Sequence, residues 1–125
     1  MSASTIERPI LYYFPVCPYS HRVEILMALK KATDAIQWYP MDITQPRPDW
    51  LLEITMGTTA LPAIKLENGK SLKESMVILR YLDDRFEPRI RRTDPYEAAL
   101  EELFATYCNK FTEAAFALII NQDIA

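Results

Sequence analysis

Residues 10–31 read ILYYFPVCPYSHRVEILMALKK, and the fold turns on how this stretch is read. Ile10 to Phe14 is β-branched and aromatic, the composition of a buried strand. From Pro18 to about Lys31 the sequence reads as a helix, with Val23, Leu26, Met27 and Leu29 running along it. Pro18 stands at the first turn, where its missing N–H costs nothing. Cys17 therefore falls at the joint between a strand's end and a helix's start. Two readings of it stand: a small hydrophobe filling a gap, or a thiolate placed where a thiolate is stabilised. Helix N-termini present unpaired N–H groups and the positive end of the macrodipole. A cysteine there has its pKa lowered to roughly 3.5–7.5. Arg22, about one turn further in, adds positive potential. The position favours the thiolate.

Working outward, residues 9–14 are the first strand, and Ile36-Gln37-Trp38-Tyr39 is a second, ended by Pro40. A proline-marked polar loop, Thr44 to Pro48, leads to a short helix around Trp50 to Ile54. Pro62 to Leu66 is a third strand, and Asn68-Gly69 signals a tight hairpin. The fourth strand is then very short, because a helix is expected from near Leu72 to about Phe86. The order β-α-β-α-β-β-α predicts an α/β domain whose helices cover both faces of one four-stranded sheet. A charged linker, Glu87 to Arg92, leads to Thr93-Asp94-Pro95, a helix-start signal. In the last helix Leu100, Leu103, Phe104, Tyr107, Phe111, Ala114, Ala115 and Leu118 recur at spacings of three and four, one wide apolar face. Such a face needs a partner. The chain reads as a first domain over 1–86, a linker over 87–94, and the incomplete start of an all-helical domain over 95–125.

Composition narrows the class. Among 125 residues half are apolar and a quarter charged, which is ordinary for a soluble domain with a proper core. The formal net charge of -3 gives no reason to expect nucleic acid. The longest apolar run, Ala114 to Ile120, is far too short to span a bilayer. The amino terminus lacks the basic and apolar regions of a signal peptide. The two cysteines lie far apart and there is a single histidine, His21, so no disulfide framework and no metal site is expected. A reducing, cytoplasmic setting is the expectation.

Cys17-Pro18-Tyr19-Ser20 has the form of a redox box whose second cysteine is replaced by serine. With no thiol at position 20, a mixed disulfide on Cys17 must be resolved from outside. A small abundant thiol such as glutathione is the natural agent. Ser20 either hydrogen-bonds the Cys17 sulfur or is simply a polar first-turn residue.

Four blocks resemble one family: Cys17 to Val23, Arg47 to Leu52, Ala60 to Ile64, and Lys73 to Asp83. In order and spacing they are similar to the amino-terminal, thioredoxin-like domain of the glutathione S-transferases, and most closely to the cysteine-type, omega-like branch. The resemblance implies that Cys17 is catalytic and forms a mixed disulfide with glutathione. It implies that Pro62 is the cis-proline and that the backbone of Leu61 pairs with the cysteinyl part of glutathione. Glu74 and Ser75 match the pair that holds the γ-glutamyl end. Arg47 stands where the family places a basic residue for the glycine carboxylate, and Tyr19 matches an aromatic residue flanking the cysteine. It also implies a homodimer and a longer helical domain that supplies most of the second-substrate pocket. One departure stands before Pro62, where Gly57 is displaced and Thr58 and Thr59 occupy the turn.

Each residue has a plainer reading beside this one. Ser71-Leu72-Lys73-Glu74 has the form of a capping box, so Glu74 also reads as a helix cap. Arg47 also reads as a solvated loop residue, His21 as a helix-surface residue, Cys108 as packing, and Trp38 and Trp50 as core. The combined expectation is a glutathione-dependent thiol transferase or deglutathionylating enzyme with a catalytic cysteine, glutathione as co-substrate, no metal, and a small electrophile or disulfide as second substrate. A monothiol glutaredoxin-like oxidoreductase is the alternative, opposed by Glu74-Ser75. A non-enzymatic protein on the same fold is the third reading.

Overall fold

The computed structural model describes residues 6–121; residues 1–5 and 122–125, the outer ends of the two expected domains, lie outside the described residues. The chain runs β1 (Ile10–Tyr13), α1 (Pro18–Leu29), a 3-10 turn (Thr33–Ala35), β2 (Gln37–Pro40), α2 (Asp49–Ile54), β3 (Ala63–Lys65), β4 (Ser71–Lys73), α3 (Ser75–Arg85) and α4 (Pro95–Ile120). The sheet order is β2-β1-β3-β4. β1 and β2 are parallel, joined through α1, while β3 pairs antiparallel with both β1 and β4. This is the thioredoxin-like α/β arrangement that the order of elements predicts.

Two compact units divide the chain, one running to Arg89 and the other starting at Ile90. In the first, the period-two alternation of β1 sorts its side chains to opposite faces. Leu11 packs with Val23 and Met27 of α1, Ile78 and Leu82 of α3, and Ile64. Tyr12 and Phe14 pack on the other face with Leu51 of α2, Leu61 and Ala63. Fully burying each larger side chain is worth roughly 1.5–3 kcal/mol, so both faces hold the sheet.

Three expectations need correction, and the hairpin is met. α3 begins at Ser75, not near Leu72, because Leu72 pairs with Ile64 as part of β4. The capping box is therefore absent: Ser71 lies in β4, and Glu74 caps α3 by its backbone with no side-chain cap bond. The hairpin loop has three residues, with Gly69 at φ +85, its N–H donating to the Leu66 carbonyl at 3.0 Å and the Leu66 N–H to the Lys70 carbonyl at 2.7 Å. The tight hairpin that Asn68-Gly69 signals is thus formed, closed by one left-handed glycine. Finally, Leu29 is 65% exposed, and the inward position at the end of α1 belongs to Lys30.

Lys30 is fully buried. Its Nζ donates to Asp83 Oδ1 at 2.7 Å, to the Asp83 carbonyl at 3.1 Å and to the Pro88 carbonyl at 2.7 Å. Together with an Arg89–Asp84 ion pair at 3.2 Å, this ties the segment after α3 back to the first unit.

Arg85 of α3 grips Glu67 of the hairpin with both terminal nitrogens, donates to the Tyr81 hydroxyl at 3.1 Å and lies over the Phe86 ring at 5.0 Å. Its hydrogen bonds hold the Glu67 carboxyl below the usual carboxylate range. The contribution to stability is present above pH 4.5, the ordinary value, and is lost as pH falls through the depressed value. Glu67→Gln should lose at most about 1 kcal/mol at neutral pH, because both side chains are about a third exposed. Urea unfolding at pH 7 and pH 3 checks this: the difference between mutant and parent should shrink at the lower pH.

In the second unit Asp94 caps α4, its Oδ2 accepting from the Glu97 N–H at 3.0 Å, and Pro95 occupies the first turn. The Thr93-Asp94-Pro95 signal is realised. None of the 26 residues of α4 is buried, and Phe104, Tyr107, Phe111 and Leu118 are all exposed.

Candidate functional site

Cys17 is the N-cap of α1, in extended conformation at φ -88 and ψ 125, with Pro18 at the first helical position. The turn that delivers it is pinned at several points. The Cys17 N–H donates to the Phe14 carbonyl at 3.1 Å, and the His21 N–H to the Cys17 carbonyl at 3.0 Å. The buried Ser20 hydroxyl accepts from the Phe14 N–H at 3.3 Å. His21 Nε2 donates to the Pro15 carbonyl at 2.7 Å from the helix surface. Ser20 thus serves the backbone at the end of β1.

Cys17 is half-buried and packs against the cluster of Tyr12, Phe14, Leu51, Leu61 and Ala63. The cysteine and Leu61 therefore share one face of the sheet. The Leu61–Pro62 peptide bond is cis, as the sequence suggests, and both residues are buried. Strand pairing with β1 begins only at Ala63, so Leu61 carries its backbone ahead of the ladder.

At the start of α3, Ser75 is 7% exposed and its Oγ accepts from Arg22 Nη1 at 3.1 Å. The Arg22 guanidinium also lies over the Tyr19 ring, 5.1 Å from its centroid. Tyr19, Arg22 and Ser75 thus join the first turns of two helices, each of which presents N–H groups to an anion. Read from the sequence alone, Arg22 has only a field effect on Cys17; its link to Ser75 joins residues 53 positions apart and has no local signal. Glu74 is exposed and holds φ +73, a backbone conformation that a non-glycine residue adopts only when its surroundings impose it.

The loop ahead of Leu61 is built without help from a glycine near Pro62. Gly57, at φ +84, ends α2: its N–H donates to the Leu52 carbonyl at 2.7 Å and the Met56 N–H to the Glu53 carbonyl at 3.4 Å, the two bonds of a Schellman motif. Thr55 and Thr58 then exchange hydrogen bonds from each hydroxyl to the other's carbonyl. Arg47 Nε donates to the Thr59 carbonyl at 3.1 Å and Nη1 to the Gln45 carbonyl at 3.0 Å, with the guanidinium 4.5 Å from the centre of the Phe14 ring. Arg47 is therefore far from a freely solvated loop residue.

Trp38 meets its expectation, packing on the core with its indole N–H donating to the Thr33 carbonyl at 2.9 Å. Trp50 does not. It is 43% exposed, because a helix as short as α2 turns Leu51 inward and leaves its neighbour outside. With Tyr12 and Tyr39 it forms an aromatic group with centroids 5.3 to 5.9 Å apart. Burial, and the Tyr39 phenol beside it, push the Tyr12 phenol up. Cys108 is half-buried on α4. Among the described residues no group of three or more His, Cys, Asp or Glu side chains is placed to hold a metal ion, and no helix is long and apolar enough to cross a membrane.

A family model described as the glutathione S-transferase N-terminal domain matches residues 16–85, which takes in Cys17, the cis-proline and Glu74-Ser75. A probable glutathione S-transferase of Solanum tuberosum is 40% identical over 91 residues, covering 72% of this chain and 40% of the relative. Glutathione S-transferase L3 of Arabidopsis thaliana is 30% identical over 107 residues, covering 85% and 45%. The crystal structure of a glutathione S-transferase from Methylobacillus flagellatus KT, with GSH bound, superposes with a TM-score of 0.78 at 23% identity, over 90% of this chain and 54% of that one. The chain spans less than half the length of these two curated relatives. Four separated sequence blocks, the sheet order and the family match agree, and this chain belongs to the glutathione S-transferase family.

Proposed function

We propose that this chain is the glutathione-binding part of a cysteine-type, omega-like thiol transferase, working in a reducing cytoplasm. One observation carries the reading: Cys17 caps α1 and packs on the same cluster as Leu61, the residue before Pro62. A thiol in that place is next to the backbone that would hold a peptide disulfide. Glutathione then lies along Leu61 in strand fashion, with its γ-glutamyl end at Glu74 and Ser75, Tyr19 beside the cysteine and Arg47 at the glycine end.

The chemistry follows from the missing second cysteine. The Cys17 thiolate attacks the glutathione sulfur of a mixed disulfide, forming the Cys17–glutathione bond and releasing the other thiolate, which takes a proton. A second glutathione thiolate attacks the glutathione sulfur on Cys17. Oxidised glutathione leaves and the Cys17 thiolate is restored. A hydroxyl in place of Cys17 would stabilise glutathione's own thiolate for attack on an electrophile; the sulfur nucleophile favours exchange. The exposed apolar face of α4 suits burial by further helices or by a second copy in a homodimer.

Intact mass after incubation with oxidised glutathione tests this reading. One glutathione should add, and peptide mapping should place it on Cys17. No adduct, or an adduct confined to Cys108, would overturn the reading.

Glu74→Gly separates binding from architecture. Relief of the φ +73 conformation should raise stability by about 1 kcal/mol, while glutathione binding weakens through loss of the carboxylate. Thermal unfolding and calorimetric titration of the same protein check the opposite signs. A capping role would predict lower stability and unchanged affinity.

A further inference from the structure

We infer that Arg47 is a positioning residue: its guanidinium fastens the loop that presents Leu61 to the end of β1, and glutathione feels Arg47 chiefly through that loop. The inference rests on the proposed alignment of glutathione along Leu61 and goes beyond it in assigning Arg47 a role other than ion-pair partner of the glycine carboxylate.

Three contacts carry it. Nε is bonded to the Thr59 carbonyl, two residues before Leu61, and Nη1 to the Gln45 carbonyl in the loop that precedes α2. The flat face of the group rests on Phe14, whose own carbonyl accepts from the Cys17 N–H. Arg47 thus spans both walls of the site, the turn that delivers the cysteine and the loop that leads to Pro62. The loop needs such a fastening. Its glycine, Gly57, is used up in ending α2, and the Thr55–Thr58 exchange reaches only as far as Thr58. Beyond Thr58 the loop is anchored by the Arg47 bond to the Thr59 carbonyl.

The residue type fits the task. A planar guanidinium donates from separate nitrogens in one fixed plane while lying flat on a ring, whereas a lysine ammonium donates from a single nitrogen and has no planar face to lay on the ring. A carboxylate partner would be served by either residue. Arginine and lysine therefore separate the two roles.

The test uses the full chain as wild type, Arg47→Lys and Arg47→Met. Without ligand, and with the Gly57 amide at the end of α2 as reference, hydrogen exchange is followed at the Thr58 amide, which is bonded to the Thr55 carbonyl and adjoins the Arg47 anchor at Thr59. Both variants should exchange several-fold faster there than wild type, with β1 and β3 unchanged. Calorimetry then compares glutathione with γ-glutamylcysteine, which lacks the glycine carboxylate. Both variants should weaken the two ligands by the same factor, about tenfold, the scale of two lost hydrogen bonds. Wild-type exchange rates in both variants, full glutathione affinity in Arg47→Lys, or a loss that disappears with γ-glutamylcysteine would each overturn the positioning role. If wild type binds neither ligand, the glutathione reading fails, and the exchange comparison alone decides whether Arg47 holds the loop.

Discussion

On the proposed reading, Cys17→Ser is expected to abolish thiol transfer, bringing turnover of a glutathione mixed disulfide down to the uncatalysed rate. The substitution leaves the site's architecture alone. The cap of α1 is made by backbone geometry and Pro18, and no side-chain cap bond from Cys17 would be lost. What goes is the sulfur, and a serine hydroxyl cannot form the disulfide on which the exchange depends. Because a hydroxyl in this place suits attack by glutathione itself on an electrophile, conjugation of a small electrophile should persist in the variant. The two assays, run on one preparation with unchanged melting temperature, check both halves. Retained thiol transfer in Cys17→Ser would remove Cys17 from the mechanism.

Asp83→Ala is expected to cost about 3–5 kcal/mol, the scale for removing one partner of a buried ion pair. Lys30 is then left as an ammonium with no exposure to water, bonded to two neutral carbonyls and no carboxylate. A domain's whole net stability is only about 5–15 kcal/mol, so the variant should sit near the edge of folding. The double variant Lys30→Met, Asp83→Leu removes both charges and keeps the volume, and should recover most of the loss. Urea denaturation of the single and double variants measures the coupling. A loss below about 1 kcal/mol in Asp83→Ala would mean that water reaches Lys30 after all.

Much of this molecule can be read from its residues, and where it cannot the reason is physical. Cys17-Pro18 announces an N-cap and a first turn because only those positions tolerate a proline without an N–H. Thr93-Asp94-Pro95 announces α4 in the same way. The start of α3 is misread because Leu72 suits either a helix or a strand, and the decision is made by a distant residue, Ile64, that pairs with it. Lys30 was open to discovery: it continues the inward positions of Val23 and Met27, where a charge demands a counter-charge. Its partner, Asp83, follows the buried Leu82, but nothing local tells which of two adjacent aspartates turns inward. The site shows the same division. Local order marks Cys17, and the resemblance marks Pro62 and Ser75, which by itself reads as solvent-facing yet is buried; the bonds from Arg22 to Ser75 and from Arg47 to Thr59 join segments that only the folded sheet brings together.

α2 has six residues and a single buried side chain, Leu51. So short a helix has almost no standing of its own in water. It exists because one leucine is inserted into the sheet face and because the Met56–Gly57 turn closes its end. Withdrawing Leu51 would leave the segment between Pro48 and Leu61 held by Trp50 against Tyr12 and Tyr39 and by the Arg47 bond to Thr59, while the α1–α3 side of the sheet kept its packing. The domain is therefore expected to behave as two materials in one chain, with the α2 side as a flap that opens sub-globally at lower cost than the α1–α3 block. Glutathione, on the proposed reading, is held against the flap by a residue that the flap delivers. Its residence time would then be set by how often Leu51 leaves its seat.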